Sequence, residues 1–212
     1  MNTDGYPPEP WHLRGDGWAT AWLVDSAALP VLPASVTPLA LLGKAVVVTA
    51  FVDYQPGGVL AYRELLAAVL VRRGARIGLT IPRIWVDSPA SRAGARALWG
   101  IPKDLARFDL TPAARFTASA HDGDHAIATA RLTVPERWCP LRARTTIWQD
   151  APEGLARTPL RVRGRVAPAR SSWRIDATGP LGWLRAARPL FGLAITGFHL
   201  RFGPRHAPTP RQ

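Results

Sequence analysis

Short apolar runs broken by turn residues dominate the chain. Its 21 prolines and 18 glycines cut it into pieces too brief for long helices. "KAVVVTAFVDY" (44–54) is rich in β-branched residues and stops at a turn, "QPGG" (55–58), which predicts a strand. "VLAYRELLAAVLVRRG" (59–74) has the composition of a helix, but the turn just before it argues for a hairpin with the preceding strand. Read as a strand, it puts Tyr62, Glu64, Leu66 and Ala68 on one face and Arg63, Leu65, Ala67 and Val69 on the other. "ARIGLTIPRIWV" (75–86) predicts a further strand. "DSPASRAGARALWG" (87–100) predicts a short helix, capped by Ser88 or Ser91 and stopped by Gly100. "ARFTASAHDGDHAIATARLTV" predicts a hairpin turning at Asp122–Gly123, and "PLFGLAITGFHLRF" a closing strand. "RTPLRVRGRVAPARSS" (157–172) is polar enough for a long loop, and residues 203–212 read as a disordered tail.

Composition adds few constraints. A chain of 212 residues, 47% hydrophobic, suits one domain with a sizeable core, spanning residues 1–212 without a linker or repeat. The longest apolar candidate, "PLALLGKAVVVTAF", is interrupted by Lys44 and falls short of the roughly 20 residues that span a bilayer. The start, "MNTDGYPPEPWHLRGDG", lacks the basic and apolar regions of a secretory signal. Cys139 is the lone cysteine, which excludes an internal disulfide and fits a reducing cytoplasm.

The formal charge is +12. Arginine is scattered along the chain, and the densest patch puts Arg161, Arg163 and Arg165 on one strand face. No zinc-finger, helix-turn-helix or ribonucleoprotein signature accompanies it, so a solvated face is the reading and no nucleic-acid partner is expected. "HDGDH" (121–125) has the letters of a metal site, but turn residues explain all five. The nine tryptophans read as packing.

Two positions carry chemistry. Glu64 lies in an apolar segment; facing inward, it needs a partner, and facing outward it pairs with Arg63 or Arg72. Lys103 in "WGIPKDLARF" is one of only two lysines, with Lys44, among 27 basic residues. An exposed loop lysine is the ordinary reading. The chemical reading is that a primary amine can lose its proton and attack a carbonyl, which a guanidinium cannot. Lowering an amine from about 10.4 to about 7 takes roughly 4.6 kcal/mol, within reach of burial in an apolar pocket.

"FVDYQPGGVLAYRELLAAVLV" followed by "IPRIWVDSPASRAGARALWGIPKDLARF" resembles the acetoacetate decarboxylase family, most strongly over residues 45–110. The resemblance implies a mainly β fold: a cone-like antiparallel β-barrel with a few outer α-helices, assembled into homo-oligomers. It implies a lyase that uses no cofactor or metal and does not bind membranes. Its substrate would be a small ketone or β-keto acid. Lys103 would form a Schiff base on the floor of an apolar cavity, with Glu64 beside it as the second catalytic residue. Tyr62, Arg96 and Ile101 are the expected substrate contacts. Decarboxylation and aldol or dehydration chemistry are both open on such a scaffold, and the alternative is a binding protein holding an apolar ligand in the same cavity.

Several positions depart from the family pattern. Asp104 stands where characterised decarboxylases carry a second lysine. An apolar residue near Leu23 replaces an arginine, Val46–Val48 replaces an acidic position, and Ala97 replaces a common glutamate. With Asp104 turned away on an extended chain, activation of Lys103 is expected to rest on burial alone.

Overall fold

The computed structural model describes residues 5–134 and 136–206. In chain order the elements are β1 (Trp11–Asp25), β2 (Thr37–Pro38), β3 (Ala40–Leu41), β4 (Lys44–Tyr54), β5 (Tyr62–Arg73), β6 (Arg76–Val86), α1 (Pro89–Trp99), β7 (Lys103–Leu105), β8 (Arg107–Thr111), β9 (Arg115–Asp122), β10 (His125–Thr133), β11 (Cys139–Ala151), β12 (Gly154–Ile175) and β13 (Arg188–Phe202). The expected mainly β architecture is present. The main path runs β11-β6-β5-β4-β1-β13-β12-β10-β9-β8, and β11 also pairs with β12, which closes a ring of seven strands. Pairing is antiparallel except for β6 with β11 and with β7.

The segment 59–74 resolves as a strand. Tyr62 lies opposite Tyr54 and Glu64 opposite Val52, as the "QPGG" hairpin requires. Strand periodicity then builds two cores from the same residues. Phe51, Leu65, Ala67 and Val69 join one cluster with Trp18, Trp22, Phe116 and Trp148. Val52, Tyr54, Tyr62 and Ala68 join the other, with Trp11, Trp99, Ile101 and Phe202. Alternate side chains of β4 and β5 point to opposite faces, so one hairpin serves both.

Three expectations are corrected. Residues 157–172 are not a loop but most of β12. Its first half pairs with β11 and β13, and its second half leaves the ring to pair with β10, so the polar residues sit on alternating exposed positions of a fully bonded strand. The β9–β10 turn falls at Gly123–Asp124, one residue later than expected; Gly123 takes φ 55°, and Asp122 pairs with His125. Residues 203–206, expected within a disordered tail, are held in place: Gly203 and His206 donate to the carbonyls of Pro159 and Arg157, and the Arg205 amide donates to Glu9. Residues 207–212 lie outside the described residues.

Among the described residues no helix is long and apolar enough to cross a membrane. Helix α1 begins at Ser88, whose hydroxyl accepts from the Ser91 amide at 3.2 Å, and it ends at Gly100. Gly100 has φ 67°, and a Cβ there would lie 2.3 Å from the Asp150 carbonyl oxygen, so glycine is required on both counts. The turn at Gly100 delivers the chain to β7 and thereby fixes where Lys103 begins.

Candidate active site

Lys103 opens β7 and pairs in parallel with Ile84 of β6. It is buried, at 4% exposure, whereas Asp104 is exposed. The alternation of an extended chain explains the difference. Asp104 pairs with the Arg96 guanidinium, and Arg96 Nε donates to the Lys103 carbonyl at 2.7 Å. Arg96 therefore clasps the strand that carries the amine. It does not line the cavity, where a substrate contact would have to be, because both of its bonds hold it over β7 at the protein surface.

The amine has three partners. Lys103 Nζ donates to Glu64 Oε2 at 2.6 Å, Ser91 Oγ at 3.0 Å and Tyr62 OH at 3.1 Å. An ammonium has three N–H groups and all three are used. Glu64, 3% exposed, accepts from Tyr54 OH through its other oxygen at 3.1 Å. Glu64 faces inward, paired with Lys103, and the open question about its orientation is answered by its place opposite Val52.

The charge state differs from the expectation that burial alone would activate the amine. Burial does pull the Lys103 pKa down. The adjacent Glu64 and Tyr62, by charge and hydrogen bonding, outweigh it and hold the amine above its ordinary value. Burial also pushes both phenols up, Tyr62 to about 12 and Tyr54 further, with Glu64 adding to each. All three groups thus hold their protons more tightly in the folded chain than in the unfolded one. Their contribution to stability is complete below about pH 10 and is lost as pH rises through the folded values. The melting temperature should therefore fall steeply between about pH 10 and 12, and less steeply in Tyr62→Phe. Equal slopes for the two proteins, measured by thermal denaturation across that range, would contradict the assignment.

Beside the amine lies a cavity of about 210 Å³. Tyr62 and Ile101 line it. So do Trp11, Trp99, Phe198 and Phe202, and among the described residues the only ionisable side chains on its wall are Tyr54, Tyr62, Glu64 and Lys103. Strand β1 presents Gly17, Trp18 and Ala19 to it, and β4 presents Ala50, Val52 and Tyr54. Leu23 and Val46–Val48 lie beyond its lining, so the departures at those positions do not shape the pocket. Among the described residues the wall thus holds no cation besides Lys103.

Two members of the cluster escaped the sequence reading. Tyr54 was accessible in principle, because a hairpin centred on "QPGG" places it across from Tyr62. Ser91 was weighed only as a cap. Ser88 takes that role, which leaves the Ser91 hydroxyl free to meet the amine from the first turn of α1. The "HDGDH" segment is a hairpin end, and among the described residues no cluster of metal-ligating side chains occurs.

A sheet wall, a capped helix and a buried lysine–carboxylate pair thus meet at one apolar cavity. The acetoacetate decarboxylase family model matches residues 2–157, and the chain belongs to that family. It is similar to an acetoacetate decarboxylase from Legionella pneumophila, at 21% identity over 99% of this chain and 90% of that one, with a TM-score of 0.82. It is also similar to the enduracididine biosynthesis enzyme MppR in complex with pyruvate, at 18% identity over 97% and 92%, with a TM-score of 0.75. An acetoacetate decarboxylase-like enzyme from Sphingomonas wittichii matches at 15% identity over 95% and 93%, with a TM-score of 0.73. No protein of curated function matches the chain by sequence. The family and fold are those of decarboxylase and lyase-type enzymes.

Proposed function

We propose that the protein is a Schiff-base-forming lyase in which Lys103 attacks a small ketone or keto acid, with a preference for uncharged carbonyl compounds. The observation that carries this reading is a buried amine bonded to a carboxylate at the edge of an apolar cavity. The cavity is smaller than the roughly 300–1,000 Å³ typical of drug-sized ligand sites, which suits a compact substrate.

The resting ammonium must first lose a proton. Glu64 Oε2, at 2.6 Å, is the acceptor in reach. Moving that proton turns an ion pair into a neutral amine and a neutral acid, the state that a dry apolar site favours. An apolar substrate that displaces water from the cavity promotes the transfer. The amine nitrogen then bonds to the carbonyl carbon, and the carbonyl oxygen leaves as water with protons returned through Glu64. Tyr62 and Ser91 hold the nitrogen in position. The resulting iminium draws an electron pair toward nitrogen, which stabilises the enamine of aldol, dehydration or decarboxylation chemistry.

The choice among these rests on charge. A β-keto acid would bring a second anion close to Glu64, and among the described residues Lys103 is the sole cation on the wall. Charge therefore favours carbon–carbon bond formation or cleavage, or dehydration, on neutral carbonyls over loss of CO₂ from acetoacetate. In this reading Arg96 is a positioning residue. Borohydride reduction in the presence of methyl ketones, aldehydes, pyruvate and acetoacetate, followed by intact mass and peptide mapping, tests the proposal. The expected result is an adduct on Lys103, formed most readily with neutral carbonyls. No adduct from any of them, under conditions that trap a known relative, would leave the binding-protein reading, which the raised pKa of Lys103 favours.

A further inference from the structure

On the other face of the cavity wall, β1, β13, β12 and β11 lie side by side. Their register aligns basic residues, all exposed but the half-buried Arg201, in two rows across the sheet. His12 is opposite Arg201, Arg201 opposite Arg161, and Arg161 opposite Arg144. One step along, Arg14 is opposite His199, His199 opposite Arg163, and Arg163 opposite Arg142. Strand spacing makes this a grid of about 15 Å by 7 Å. The residues line a concave groove of about 820 Å³.

Like charges placed directly opposite each other destabilise a sheet. Elsewhere on this surface, arginine meets carboxylate: Arg96 with Asp104 and Arg205 with Glu153. Among the described residues none of the six groove arginines has an acidic partner, and no Asp or Glu lines the groove. Six guanidinium groups converging on one concavity, uncompensated from within the chain, call for an external anion of matching charge density.

We propose that this groove binds an oligophosphate chain, three or more linked phosphates, at a site separate from Lys103. Guanidinium forks suit phosphate oxygens in bidentate fashion. An extended acidic peptide presents carboxylates on one face only every 7 Å or so, and would meet few of the six. Among the described residues no phenylalanine, tyrosine or tryptophan lines the groove to stack a base, so recognition rests on the phosphates rather than on a nucleobase.

Calorimetric titration of the full chain at about 50 mM salt, with inorganic tripolyphosphate, ATP and orthophosphate, tests this. Tripolyphosphate should bind one per chain, with orthophosphate at least about tenfold weaker, and affinity should fall by at least about tenfold at 200 mM salt. ATP binding with the same strength as tripolyphosphate identifies the phosphate chain as the shared determinant; much tighter ATP binding would overturn recognition by phosphates alone. R161E/R163E should weaken binding by about tenfold or more, and R142A/R144A, a milder change at exposed positions, should weaken it in the same direction. Melting curves establish that both variants fold, and imine trapping at Lys103 should be unchanged in both. No binding of tripolyphosphate at low salt, or equal binding by the folded variants, would overturn the proposal. So would binding of single-stranded RNA or anionic vesicles by a chain that ignores tripolyphosphate.

Discussion

Replacing Glu64 with Gln should move the pH profile of imine trapping at Lys103 toward neutrality while slowing turnover. The carboxylate, with Tyr62, holds the amine above its ordinary pKa, and burial opposes them. With that charge gone, Tyr62 is left to oppose burial and the amine should titrate at lower pH. Each unit of that downward movement raises the neutral fraction at pH 7 by about tenfold. Borohydride trapping as a function of pH should therefore shift toward neutrality in Glu64→Gln. Steady-state turnover should fall by about 10²–10⁴-fold, because the proton acceptor at 2.6 Å has been removed. A trapping profile that does not move, or moves upward, would show that the amine's protonation is set by something other than this pair.

Lys103→Met should give no trapped adduct and a destabilised protein. Methionine occupies similar space but leaves Glu64 buried, at 3% exposure, with only Tyr54 as a hydrogen-bond donor. Stranding one partner of a buried pair costs about 3–5 kcal/mol, a large share of a typical total of about 5–15 kcal/mol. The double variant Lys103→Met/Glu64→Leu should recover most of that loss, since two apolar side chains suit an apolar cavity. Urea denaturation of the two single variants and the double variant measures the coupling. Additive losses would mean that the two side chains do not depend on each other in the folded chain. An adduct surviving in Lys103→Met would transfer the chemistry to another nucleophile.

The contrast between what the sequence disclosed and what it hid has a physical basis. Strands bounded by Pro and Gly were legible because turn chemistry is local: 44–54, 75–86 and the hairpin joining β4 to β5 follow from it. Lys103 and Glu64 stood out because each is an ionisable residue among apolar neighbours. Strand β12 was misread because exposed arginines alternate along it, and only its pairing with β11, β13 and β10 reveals that the backbone is satisfied. Arg96 carried the family spacing, but which way its side chain turns depends on Asp104 and the Lys103 carbonyl, a contact made after α1 and β7 have packed. The amine's charge state was hidden for the same reason. Burial is foreseeable from sequence, whereas the two groups that oppose it, Glu64 and Tyr62, come from β5.

The family match stops at residue 157, yet six residues of the cavity wall come later: Leu160, Val162, Ile195, Phe198, Leu200 and Phe202. The buried amine and its carboxylate lie inside the matched segment, whereas a good part of the contour around them lies outside it. Exchanging residues 158–202 for those of a relative should accordingly change which molecule is accepted while leaving Lys103 and Glu64 in place.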